Sequence, residues 1–289
     1  MNGWLDWREI EQHNDWGARE KTDAMCSRWD EGAQMWDRRW KSEEDFTKRQ
    51  ADAMSFLPTD TVLDVGCGAG GIALFVAPRV SKVICLDGGR NMLDIVESNA
   101  CQKGVDNMET LLGNFYAVEP GVDVPVCDVA INRWSPAQGD ILKFSRFARR
   151  YCYSISSCTM NFAQGGFTQG GMWCRSTVDE DLNHTPRPCG RKYGFNVHFN
   201  LLYDCGANPT IQYVEHAQVK TAETKEALER AIWQEFHKAK SPAGDRPVKI
   251  HPLMSRNMHQ VEDGSWELRM SHRIAILGWD PNELEGFTA

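Results

Sequence analysis

A doubly wound α/β fold with a mostly parallel, seven-stranded sheet is predicted by three observations. Five short apolar β-runs alternate with helical patterns between residues 61 and 154. The first run breaks into a glycine-rich turn, and the second ends in a carboxylate. Two later strand patterns, at 210–216 and 266–278, flank a charged helical pattern at 221–239.

The first run is 61–65, and Gly66, Gly68 and Gly70 follow it at alternate positions. Glycine is needed where the backbone takes positive φ or comes close to a ligand. A helix is predicted over 72–80 and a second strand over 83–87, ending in Asp87, 17 positions beyond Gly70. Strand, glycine turn, helix and carboxylate-tipped strand make a nucleoside-binding βαβ unit. In it Asp87 is placed to accept the ribose hydroxyl protons. Gly88 and Met92 lie just beyond, on the adenine side, and the polarisable Met thioether suits a base face. The turn from Gly66 through Cys67 and Gly68 to Gly71 reads G-x-G-x-G-G, not the G-x-G-x-x-G of dinucleotide sites. Asp64, two residues before the first glycine, would repel a pyrophosphate and pair with an α-amino group. These features point to an amino-acid nucleoside.

A second helix is predicted over 91–103, capped by Gly104. Strands follow at 108–112 and 127–132, then a helix at 141–150 and a strand from 150 to 154. Arg146, Arg149 and Arg150 read as the polar face of that helix. The glycine-rich stretch 156–194 breaks the rhythm and is expected to be an acceptor-site insertion at the carboxyl edge of the sheet. A helix at 195–205 with Gly206 at its end precedes the last two strands. In the charged helix, Leu228, Ile232 and Phe236 recur every four residues. The chain divides into a helical segment at 1–55 and a larger domain at 56–289 carrying the insertion at about 156–195. The first segment holds six of the eleven tryptophans, and Trp29, Trp36 and Trp40 are spaced as one face of a helix.

The formal charge is −8, with no extended basic run, which argues against a nucleic-acid substrate. Ten cysteines carry no CxxC pair, and no His or Cys spacing fits zinc, so no metal is expected. Free thiols in quantity, a charged start without an apolar core and no run of 18 apolar residues point to a cytoplasmic protein without a membrane span.

The segment VLDVGCGAG resembles the first motif, hydrophobic-x-D-x-G-x-G-x-G, of the class I S-adenosylmethionine-dependent methyltransferases. The resemblance covers roughly residues 28–132 well and the rest in outline. It implies a Rossmann-like methyltransferase fold in which an antiparallel last strand enters between its neighbours, and S-adenosylmethionine as cofactor. It further implies an N-terminal helical lid, with the Trp36-Asp37 pair covering the cofactor, and contacts from Asn114 and Phe115 to the adenine. At the end of the fourth strand the family's amide-methylating members carry N-P-P-Y or D-P-P-Y. This chain carries Asn132-Arg133-Trp134-Ser135, which weighs against DNA adenine or protein glutamine as acceptor. Asn132 then stands beside the cofactor. Asn132, Arg133 and His198 are the candidates for a catalytic role. Arg133 suits a carboxylate on the acceptor or a neighbouring acidic side chain. His184 or His198 would be a general base. Stretch 196–216 is also similar to family members associated with metal or corrinoid uptake. The expected activity is methylation of a small-molecule acceptor. The rival readings are methylation of protein or nucleic acid, and a non-methylating or cyclising cofactor-binding protein.

Overall fold

The computed structural model describes residues 6–12, 22–162, 167–168, 195–237, 250 and 252–285. His184 and most of the stretch read as an insertion lie outside the described residues. The chain forms two compact units, one of residues 1–156, 193–214 and 275–289, the other of 157–192 and 215–274.

The first unit opens with four helices, α1 (Trp7–Gln12), α2 (Asp23–Asp30), α3 (Ala33–Ser42) and α4 (Glu44–Asp52). Its sheet contains β1 (Thr61–Val65), β2 (Lys82–Asp87), β3 (Met108–Leu112) and β4 (Cys127–Arg133). Three longer strands, β5 (Ala148–Phe162), β7 (Thr210–Ala222) and β9 (Trp266–Trp279), share their residues between this unit and the second, to which the two-residue β6 (Phe167–Thr168) and β8 (His259–Gln260) belong. The strand order is β3-β2-β1-β4-β5-β9-β7. β1 pairs in parallel with both β2 and β4, and β4 with β5. The last strand therefore enters between its neighbours, as the resemblance implies. Helices α5 (Gly71–Val76), α6 (Arg90–Lys103), α7 (Ile141–Ser145) and α8 (Phe195–Asp204) complete the unit. Gly104 ends α6 at φ +66°, the left-handed geometry its position predicts.

The alternation of the strands decides what each face packs. Leu63, Val65, Ile84, Leu86 and Ala130 turn to a core closed by Phe144, Phe147, Leu202 and Trp279. On another patch Trp40 packs with Ala69, Leu74 and Ala100. Asp64 lies on the alternate face, in register with Cys85 on one side and Ile131 on the other.

Several expectations are corrected. Trp29 belongs to α2 and Trp36 and Trp40 to α3, because the chain turns at Glu31-Gly32; they do not share one helix. The helix predicted over 141–150 stops at Ser145, and the chain enters β5 at Ala148. Arg149 and Arg150 are consequently strand residues. Arg149 reaches Asp128 at 3.1 Å and Arg150 pairs with the buried Asp60. Carboxylates at the amino ends of β1 and β4, with Phe147 sunk in the core, outweigh the helical spacing. The strand predicted over 150–154 runs on to Phe162, and that over 210–216 to Ala222.

In the second unit α9 (Lys225–His237) and α10 (Pro252–Arg256) bound a small core. Leu228 and Ile232, four residues apart on α9, pack there with Met254, Met258, Leu268 and Met270.

Candidate functional site

The site is assembled at the carboxyl ends of β1, β2 and β4. Asp64 points from β1 with only 2% of its surface exposed. Burial pushes its carboxyl up to about 7; the positive field of Arg133 opposes the shift, and the negative field of Asp87 adds to it.

Asp87 ends β2 two residues beyond the register partner of Asp64, so both carboxylates lie on one face of the sheet. Asp87 fixes the glycine turn. One of its oxygens accepts from the Gly68 N–H at 2.9 Å, the other from the Gly89 N–H at 2.9 Å. Burial raises its pKa, and these amides work against the shift. The turn is held from below as well, because Gly66 and Cys67 donate their N–H groups to the Leu86 carbonyl. Burial lifts the Cys67 thiol well above its ordinary value, so it stays protonated.

The three glycines of the motif do different work. All have positive φ: +69° at Gly66, +55° at Gly68 and +81° at Gly70. A Cβ on Gly66 would overlap the Cβ of Ser135, and one on Gly70 would press on Val96 at 3.1 Å. A Cβ on Gly68 would meet nothing within 4 Å. Space for a ligand is therefore kept at Gly68, while Gly66 allows the loop after β4 to come close.

Helix α2 crosses the ends of β2 and β3. Cys26 lies against Gly88, Asp23 accepts from Asn114 Nδ2 at 3.1 Å, and Asp30 accepts from Asn91 Nδ2 at 2.8 Å and the Met92 N–H at 3.1 Å. Asp30 thereby caps α6, whose own N-cap position is Gly89. Gly88, Met92 and Asn114 are thus gathered under α2. Asn114 also forms a local turn, its Oδ1 accepting from the Tyr116 N–H at 3.1 Å. Phe115 is buried in the core beside Phe147, at 5.9 Å between ring centres. The contacts of α2 are tertiary, and no local pattern in the sequence marks Asp23, Cys26 or Asp30.

Trp36 is half-buried on α3, 5.6 Å from the Trp29 ring and under the Arg39 guanidinium. Its neighbour Asp37 accepts from Trp40 Nε1 at 3.1 Å and Asn99 Nδ2 at 2.8 Å, tying α3 to α6.

The end of β4 is built differently. Asn132 is fully buried; its Oδ1 accepts from Ser154 Oγ at 3.1 Å, and its Nδ2 has no partner among the described residues. Arg133 Nε and Trp134 Nε1 are buried without a hydrogen-bond partner there too. The Arg133 guanidinium sits 4.2 Å from the centre of the Trp134 ring. Trp134 has φ +51° and is the one non-glycine residue with positive φ among those described. Backbone strain of this kind costs about 1–3 kcal/mol and gathers at ligand sites. Three orphan donors and a strained residue in succession are what a polar ligand would satisfy.

His198 is elsewhere. It is 1% exposed on α8, with Nε2 2.9 Å from the Gln138 carbonyl and 3.6 Å from Glu11. Burial lowers it to about 4, so it is neutral near pH 7. Its place is among α1, α8 and the turn 136–139.

Among the described residues no group of three His, Cys, Asp or Glu side chains could hold a metal, and no helix is long and apolar enough to cross a membrane.

Residues 62–145 match a family described as a methyltransferase domain. A segment of 73 residues is 27% identical to a probable cobalt-precorrin-6B C(15)-methyltransferase (decarboxylating) of Methanococcus vannielii, covering 25% of this chain and 41% of that protein. A segment of 92 residues is 28% identical to the uncharacterized methyltransferase YcgJ of Bacillus subtilis, covering 31% and 36%. A third, of 78 residues, is 32% identical to the 23S rRNA (uracil(1939)-C(5))-methyltransferase RlmD of Colwellia psychrerythraea, covering 26% and 17%. The chain spans less than half the length of these relatives. The crystal structure of YcgJ superposes with a TM-score of 0.44 at 15% identity, over 80% of this chain and 97% of that one.

Proposed function

We propose that this chain, which carries a class I S-adenosylmethionine-dependent methyltransferase domain at residues 62–145, methylates a small-molecule acceptor. One observation carries the reading. Two carboxylates, the buried Asp64 and the half-buried Asp87, share a sheet face beside a glycine turn that keeps space only at Gly68. The residues fit S-adenosylmethionine. Asp64, pushed towards neutrality while unpaired, ionises fully once an α-ammonium group lies against it. Asp87 has lone pairs left on both oxygens for the ribose hydroxyls. Asn132 offers the N–H it has not used.

The cofactor, when bound, supplies an activated methyl group on sulfonium. The chain's part is to orient it and keep water out. Helix α2, resting on Gly88, Asn91 and Asn114, covers the adenosine side as a lid.

The relatives' names include both a precorrin and an rRNA uracil as acceptors. The charge of −8 favours the small molecule here, since a nucleic acid needs a dense positive surface. The eight cysteines among the described residues form no disulfide with one another, which suits a reducing cytoplasm.

The test is incubation with S-adenosylmethionine and, separately, a metabolite extract and total RNA, followed by mass spectrometry. S-adenosylhomocysteine and a methylated small molecule are expected from the extract alone. Turnover only with RNA overturns the acceptor class. Consumption of cofactor without any methylated product overturns methyl transfer itself.

A further inference from the structure

The sequence leaves Arg133 between an acceptor carboxylate and a structural ion pair, and the structure answers with neither. No ion pair or hydrogen bond to Arg133 is formed among the described residues; its guanidinium lies over the Trp134 ring at 4.2 Å, within the fields of Glu43, Arg39 and Asp64. Strand register locates it. Asp64 is in register with Ile131, so Arg133, two residues on, lies on the Asp64 face of the sheet. Asn132 is paired with Val65, which puts Arg133 level with Gly66. Asp87 is level with Gly66 from the other side, because Leu86 is paired with Val65. One face of three adjacent strands thus presents Asp87, Asp64 and Arg133 in that order around the glycine turn. With strands about 4.8 Å apart and a rise of about 3.3 Å per residue, Arg133 and Asp64 have backbones about 8 Å apart. That is room for one small zwitterion between two side chains of opposite charge.

We propose that Arg133 and Asp64 form a clamp for an α-amino acid, Asp64 taking the ammonium group and Arg133 the carboxylate, and that the zwitterion they hold is the methionyl end of the cofactor. The assignment rests on the reading that the chain binds S-adenosylmethionine. Two features support it beyond the juxtaposition. The guanidinium is held against the Trp134 ring, 4.2 Å from its centre, and a guanidinium can meet a carboxylate with two parallel N–H donors. Trp134 itself has φ +51°, a conformation its neighbours must enforce. The contiguity with Asp87 favours the cofactor over an acceptor, since ribose and amino acid then occupy one continuous face. Arg133 also feels Glu43 and Arg39 from the α3 side; the carboxylate of Glu43 supports its charge and Arg39 works against it.

Calorimetry with S-adenosylhomocysteine and with 5′-methylthioadenosine, which lacks the amino-acid end, separates the possibilities. Arg133→Met should weaken S-adenosylhomocysteine by about 10- to 100-fold, the size of a lost charged hydrogen bond. It should change 5′-methylthioadenosine less than about threefold, since the nucleoside half is untouched. Arg133→Lys keeps the charge without the fork, should show a smaller loss confined to the same ligand, and decides the matter if the Met variant does not fold. Unchanged affinity for S-adenosylhomocysteine overturns the clamp and is the result expected if Arg133 serves a carboxylate on the acceptor. Equal weakening of both ligands overturns it too, as general damage to the site. A wild-type protein that binds neither ligand fells the cofactor reading itself.

Discussion

The ends of β2 and β4 stand on either side of the same glycine turn, and they spend their polar groups in opposite ways. After β2 nearly everything is paired within the protein. Asp87 holds two backbone amides, and Asp30 of α2 caps α6 through Asn91 and Met92. After β4 the donors of Asn132, Arg133 and Trp134 are left over, and the backbone is strained. The first end is a finished scaffold whose ligand must use remaining lone pairs. The second is completed only by something the chain does not contain. Substitutions at the first end should cost stability. At the second they should cost binding.

The largest expected effect tests the turn between them. Gly66→Val forces a branched side chain into left-handed backbone, at about 1–2 kcal/mol, and into Ser135, at about 1–3 kcal/mol of overpacking. Urea denaturation should show a loss of about 4 kcal/mol. Gly68→Val meets nothing within 4 Å, so it should pay the backbone strain alone and lose S-adenosylhomocysteine binding. Equal stability losses for the two variants would erase the distinction drawn between these glycines.

Next comes Asp64, which belongs to neither end. Its folded pKa of about 7 lies above the unfolded value of about 3.9. The folded state therefore binds the proton more tightly, and the stability this provides is full below pH 4 and fades as pH rises to 7. By linkage the total is about 4 kcal/mol over that window. Asp64→Asn has no such proton to lose. Its thermal midpoint should gain on the wild type as pH is raised from 5 to 7. A constant difference across that range would mean that Asp64 is ionised throughout in the free protein.

Much of this was legible in the sequence, and the reasons are physical. β1 and β3 begin and end where the apolar runs do, and Gly104 and Gly206 take the positive φ their places predict. Such signals are local. What failed depended on distant partners. Phe147 and the carboxylates Asp60 and Asp128 pull residues 148–150 into a strand. The turn at Glu31-Gly32 splits the tryptophan face between two helices. In the site, spacing could place Asp64 and Asp87 on one face, because β-strands alternate. It could not show that Gly66 faces Ser135, that Phe115 is a core residue or that His198 is buried beside Glu11.

At the finished end, Asp30→Ala removes the acceptor for the Met92 amide, the third residue of α6, and a negative charge at the helix N-terminus. Losing a cap of this kind costs about 1 kcal/mol. Hydrogen exchange should speed up at Met92 and Leu93 before it does elsewhere in α6. A protected Met92 amide in the variant would show that α6 caps itself from within.

The smallest effect on stability should come from the residue given most to do in binding. Arg133 gains from its stack on Trp134, worth about 0.5–1 kcal/mol. Against this stands the cost of a half-buried guanidinium whose Nε has no partner, and burial indeed pulls its pKa down to about 10. Met keeps most of the apolar stem and can lie on the indole through its thioether. The two terms nearly cancel, so Arg133→Met should leave the unfolding free energy of the ligand-free protein within about 0.5 kcal/mol of wild type. The difference should appear only with ligand present. S-adenosylhomocysteine raises the melting temperature of whatever it binds by mass action, and the wild type should gain more than the variant at the same concentration. A variant already destabilised by 2 kcal/mol or more without ligand would place Arg133 with Asp30 among the residues that hold the scaffold, and the contrast between the two strand ends would fail.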